Sequence, residues 1–191
     1  MLLADLPSLN ISFTQVLIAV ATIVAVVLVL STLALVATSR QHQRGPTRHW
    51  LSRLVYAAFL FLIVVLAMTA FGSLLVLGHM LGYALMFHVA AAGGFVFLMV
   101  AIAFLYLPAA LDKAKARDLR LDRWWVTRWS AWALVISSLV AAGTMLVSML
   151  PLLDTDGLLQ MAMLHRYAGL AVVVSAVFHL YSLICVRLGW R

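Results

Sequence analysis

Apolar residues run along this chain in stretches longer than a soluble helix or strand requires. Residues 6–39, 54–111, 129–153 and 167–186 contain no Asp, Glu, Lys or Arg. A helix rises about 1.5 Å per residue, so about 20 apolar residues cross the hydrocarbon core of a bilayer. The run 54–111 has room for two crossings, and "LGHMLG" at 77–82, with Gly78 and Gly82, offers the turn between them. The pattern predicts five helices, over 13–38, 50–76, 81–107, 125–150 and 159–186. The expected fold class is therefore an all-α integral membrane protein.

Composition agrees. The 191 residues are 66% apolar and have a mean hydropathy of +1.12, more apolar surface than one soluble core of this length would hide. The net charge of +7 is unevenly placed. Arg40, Arg44, Arg48 and Arg53 flank the first connection, Lys113, Lys115, Arg117, Arg120, Arg123 and Arg128 fill the third, and Arg187 and Arg191 close the chain. These twelve of thirteen basic residues fall on one side, which the positive-inside rule makes the cytoplasm. The N-terminus, the 77–82 turn and the loop "PLLDTDG" (151–157) then face outward, and the C-terminus is cytoplasmic. The basic loops are thus topology, and no nucleic-acid partner is expected. A multi-pass membrane protein in contact with lipid is expected. The first apolar run has Asp5 where a signal peptide would be basic, and it is longer than such peptides use, so it reads as a retained span. The lone Cys185 excludes an internal disulfide, and no C-x-x-C-H is present for covalent haem attachment. There is no Glu, and all six Asp lie in tails and loops, so nothing suggests an active site for a soluble substrate.

The chemistry left is that of histidine. "LHRYAGLAVVVSAVFHLYSLI" (164–184) carries His165 and His179, fourteen residues apart. Fourteen residues are four turns at the periodicity of a left-handed bundle, so both project from nearly one face, about 21 Å apart along the axis. No single metal ion could use both; two stacked planar cofactors could. A haem iron held by two imidazoles needs a facing histidine at each depth. On the outer side, His88 lies about 10 Å from the turn at 77–82 and His165 about as far from the loop at 151–157. On the inner side, His179 stands eight residues before Arg187, whereas His49 opens the second helix. His49 is about 10 Å closer to water unless the second helix starts earlier or the fifth continues past Arg187. His79 sits in the outer turn and reads as interfacial, and His42, in "SRQHQRGPTR", as solvated. Any single membrane histidine is adequately explained by a hydrogen bond to a neighbouring helix. The case for ligation rests on four of them together. Gly93 and Gly94 after His88, and Gly169 after His165, remove side chains where a porphyrin face would press, although glycine also serves plain helix packing. Arg166, the only basic residue on the outer side, is either an interface anchor or a partner for haem propionates.

"TRHW" (47–50), "GYALMFHVAAAGG" (82–94), "LHRYAG" (164–169) and "FHLYS" (178–182) occur in that order. In these motifs the chain resembles the di-haem cytochrome b membrane subunit of respiratory formate dehydrogenases, nickel–iron hydrogenases and thiosulfate reductases. The resemblance covers about 49–186 and implies a four-helix haem-binding bundle over 41–191, leaving residues 1–40 as an additional N-terminal transmembrane helix. It implies two haem b groups, with His49 and His179 holding the inner iron and His88 and His165 the outer one, and Arg166, Gly93 and Gly169 close to the cofactors. It further implies an electron-transfer subunit of an oxidoreductase complex, linking a periplasmic iron–sulfur or multihaem cytochrome c subunit to the quinone pool. The chain departs from that family in the extra helix, in lacking the family's long basic cytoplasmic tail and in "RWWVTRWSAW" (123–132), which lacks the amide residue the family places near quinone. All six tryptophans gather at the inner interface. They form an aromatic belt, of which Trp129 and Trp132 could also line a quinone pocket. Two other readings remain: a haem-free membrane anchor or assembly subunit, and a self-contained transmembrane di-haem reductase. The latter places two histidines on each of two helices, whereas here only the last helix carries two.

Overall fold

In lipid, backbone N–H and C=O groups find no water, so a spanning segment satisfies them within its own helix. The computed structural model follows this rule. It describes residues 12–38, 50–80, 82–111 and 124–188, and among them every regular element is helical. The elements are α1 (Phe13–Thr38), α2 (Trp50–Ala67), a π-turn (Met68–Gly72), α3 (Ser73–Leu77), α4 (Tyr83–Leu111), α5 (Trp124–Ser148) and α6 (Thr155–Arg187). With α2, the π-turn and α3 forming one continuous rod, five helices are long and apolar enough to cross a membrane. The protein is an all-α, multi-pass membrane protein.

The boundaries differ from the expected ones in three places. The second span is not a uniform helix: at Met68–Gly72 it widens into a π-turn, where the Thr69 hydroxyl bonds the carbonyls of Val65 at 2.8 Å and Leu66 at 3.1 Å. The third span continues past Pro108 to Leu111. The last helix starts at Thr155 rather than 159, because the Asp154 carboxylate accepts the Gly157 N–H at 2.8 Å and caps its first turn. The turn at 77–82 is as expected. Gly78 (φ 75°) and Gly82 (φ 57°) both take the left-handed conformation, and the Gly78 N–H closes on Leu74 O at 3.1 Å.

α2, α4, α5 and α6 share one core. Phe59 and Ile63 of α2, Phe95 and Met99 of α4, Leu134 and Ala141 of α5, and Ala168, Val172 and Ala176 of α6 are buried together. Phe59 and Phe95 stack with ring centroids 5.0 Å apart. α5 and α6 pack antiparallel, with small residues such as Ala141 and Ala168 letting the helices approach. Gly94 does the same for α4: a Cβ there would stand 3.3 Å from Leu62 Cδ1 of α2.

α1 lies outside this core and leans on α6 at its two ends. Phe13 meets Tyr167 edge-on at 5.2 Å and Phe71 at 6.2 Å. At the other end the Tyr181 hydroxyl lies 3.2 Å from Thr32 Oγ1, whose own proton goes to Leu28 O at 2.7 Å, so Tyr181 donates. Between these contacts the helices part around an apolar cleft of about 260 Å³, lined by Leu17, Ala21, Leu28, Phe71, Val173 and Val177.

The left-handed turn yields a stability prediction. Gly78→Ala places a Cβ in a conformation that costs an L-residue about 1–2 kcal/mol, so it should lower the thermal unfolding midpoint in detergent, with helix content before the transition unchanged.

Candidate functional site

The bundle carries two polar levels separated by the apolar core of residues such as Phe59 and Leu134, named outer and inner only after the sidedness expected from the basic loops. The outer level joins all four of its helices. His88 of α4 and His165 of α6 face each other with ring centroids 6.4 Å apart and planes at 82°. Each ring is tethered through Nδ1 to a third helix. His165 Nδ1 lies 3.0 Å from Ala141 O and 3.2 Å from Thr144 Oγ1 of α5. His88 Nδ1 lies 3.0 Å from Thr69 Oγ1 in the π-turn. The two histidines expected to pair at this depth are therefore brought together, although α6 extends ten residues outward from His165 and α4 only five from His88.

The inner level is built on His179. Its Nδ1 lies 3.2 Å from Thr127 O and 3.1 Å from Ser130 Oγ of α5. One turn further along both helices, the Thr127 and Ser182 hydroxyls bond each other. The aromatic ring across from His179 belongs to Tyr56 of α2, with centroids 6.0 Å apart and planes at 68°. Tyr56 follows His49 by seven residues in the sequence; His49 itself, like His42, lies outside the described residues.

The other expected residues are placed as follows. Gly169 sits on α6 one turn beyond His165, where a Cβ would meet Phe71 Cζ at 4.0 Å. Gly93 is exposed with open space around it, and it is its neighbour Gly94 that packs against a helix. Arg166 is exposed beside His165, and His79 is exposed in the outer turn. Trp129 is 59% exposed, while Trp132 is half-buried. Among the described residues no three His, Cys, Asp or Glu side chains converge on a common point, so the histidines act in pairs or singly.

Thr69, Tyr56, Ser130, Thr144, Thr127 and Ser182 are functional candidates that the histidine pattern alone leaves unseen. A signal for two of them does exist in the sequence. Thr144 and Ser130 are fourteen residues apart on α5, the spacing of His165 and His179 on α6, and antiparallel packing matches the two pairs. Compared with known protein families, curated proteins and solved structures, the chain matches none of them.

Between the levels, Ser138 is fully buried and its hydroxyl has no hydrogen-bond partner. A buried polar atom without a partner is a net cost. Ser138→Ala should therefore leave the unfolding midpoint unchanged or raise it, by an amount corresponding to at most about 1 kcal/mol. A clear loss of stability would show that this hydroxyl has a partner.

Proposed function

We propose that the chain is the membrane electron-transfer subunit of an oxidoreductase complex and binds two b-type haems, one at each polar level. The observation that carries this reading is the His88–His165 pair: two imidazoles from different helices, 6.4 Å between centroids, both anchored through Nδ1. Two metal–nitrogen bonds of about 2 Å, added to the distance from nitrogen to centroid in each ring, span roughly 6 Å between centroids. With Nδ1 engaged on each ring, Nε2 is the nitrogen available to an iron. The donor set suits haem: two neutral imidazoles and no anionic ligand, in a site whose charge the membrane would penalise.

In this reading His88 and His165 hold the outer haem. His179 holds the inner one, with His49 as its partner on the strength of the sequence resemblance. Haem iron supplies one-electron transfer when bound. The protein contributes spacing and environment. His165 and His179, fourteen residues apart on one continuous helix, keep the two sites about 21 Å apart along the axis. Phe59, Phe95, Leu134 and Val172 fill the interval with hydrocarbon and exclude water from it. Arg166, exposed at the outer level, is placed to meet propionates or an acidic redox partner. Electrons pass between a periplasmic iron–sulfur or multihaem partner at the outer level and quinone near the inner one, where Trp132 and the Thr127, Ser130 and Ser182 hydroxyls supply apolar and hydrogen-bonding surface. The membrane is a bacterial inner membrane, with the N-terminus outside and the C-terminus in the cytoplasm.

A pyridine haemochrome assay on purified protein should return two haems b per chain. His88→Ala and His165→Ala should each reduce this to one, and His179→Ala should remove the other. Wild-type protein free of haem, from cells with haem in supply, would leave the histidines as packing residues of a membrane anchor. Topology is testable by labelling: with Cys185 replaced by Ser, His79→Cys should react with a membrane-impermeant maleimide from the periplasmic side of intact cells. Reaction only after lysis would reverse the orientation.

A further inference from the structure

The three described membrane histidines at the two levels share one hydrogen-bond arrangement. In each, Nδ1 meets a hydroxyl of a neighbouring helix, Thr144 for His165, Ser130 for His179 and Thr69 for His88, and at His165 and His179 it also meets the backbone carbonyl three positions before that hydroxyl, Ala141 and Thr127. The directions of these bonds follow from the chemistry. At His165 and His179 the partner carbonyl oxygen only accepts, so Nδ1 must donate. The hydroxyl protons are already committed along their own helices: Thr144 to Ala141 O at 2.8 Å, Ser130 to Thr127 O at 3.1 Å, and Thr69 to Val65 O at 2.8 Å and Leu66 O at 3.1 Å. Each hydroxyl therefore turns a lone pair, not a proton, toward Nδ1. A neutral imidazole has one ring proton, and with that proton on Nδ1 the lone pair is left on Nε2.

We propose that Thr69, Thr144 and Ser130 are positioning residues that, with the carbonyls of Ala141 and Thr127, hold His88, His165 and His179 as Nδ1–H tautomers, in which Nε2 carries the lone pair that an axial bond would use. The assignment of the tautomer stands on the hydrogen bonds alone; its use for iron ligation rests on the function proposed above. The arrangement presets two things a ligand needs before any metal arrives, the nitrogen that carries the lone pair and the plane of the ring. It also explains why hydroxyls and histidines step together along α5 and α6. A slip of either helix by one residue would separate both pairs at once. The π-turn belongs to the same device, since it is where the second span places the hydroxyl that meets His88.

The decisive measurement uses full-length protein labelled with ¹⁵N-histidine and prepared without haem in lipid. His88, His165 and His179, assigned by single His→Gln variants, should each show a protonated Nδ1 and an unprotonated Nε2. Protonated Nε2 at His88 and His165 would overturn the proposal even if the protein binds two haems. The expected Nδ1–H signals in a protein that never takes up haem would uphold the tautomer assignment and sink the haem reading. In haem-loaded protein, Thr144→Val and Thr69→Val should change the low-spin electron paramagnetic resonance signal and midpoint potential of the outer haem only, and Ser130→Ala those of the inner one. Thr144→Ser and Thr69→Ser should restore the wild-type values. Variants that keep both haems with signals and potentials unchanged would show that the hydroxyls do no positioning.

Discussion

A histidine nitrogen inside a hydrocarbon slab must find its hydrogen-bond partner on a neighbouring helix, because no water is present to serve. That constraint organises this bundle. Helix association in lipid has no strong hydrophobic drive, since the tails are as apolar as the side chains, so packing and interhelical hydrogen bonds decide register. Here α5 is tied to α6 at two depths through His165 and His179, and α4 to the second span through His88 and the π-turn. Each tie uses a hydroxyl that is itself bonded to its own helix, which confines the polar group to one geometry.

The two polar levels make sense only with the layer between them. Phe59, Phe95, Leu134 and Val172 occupy that layer with close-packed hydrocarbon, and the only buried hydroxyl there that lacks a partner is Ser138, among the described residues. Polar groups are thus concentrated where they have partners. α1 is built differently. It touches the bundle through an aromatic contact at Phe13 and one hydroxyl pair, Thr32 with Tyr181, and most of its surface is open to lipid. Tyr167 and Tyr181 each follow a histidine by two residues, so α6 turns its histidines to the bundle and its tyrosines to α1.

Much of the fold was legible in the sequence. The absence of charge over twenty or more residues forces a helix in lipid whatever its neighbours are, which is why the five spans and the Gly78–Gly82 turn could be read directly. The pairing of His88 with His165 was legible for a similar reason, since depth is counted along a helix of constant rise. The π-turn was not, because it lies within an apolar run that looks uniform.

What the sequence determined alone was therefore axial: which residues lie in the membrane, at what height, and on which face of their own helix. What only the tertiary structure decided was lateral: that Thr144 and Ser130 stand behind His165 and His179, that Thr69 reaches His88, and that Tyr56 faces His179. Height follows from a fixed rise per residue, whereas neighbours across a helix interface depend on how two rods are rotated and offset. That offset is set by small residues and single hydrogen bonds that leave no periodic mark on either chain segment by itself.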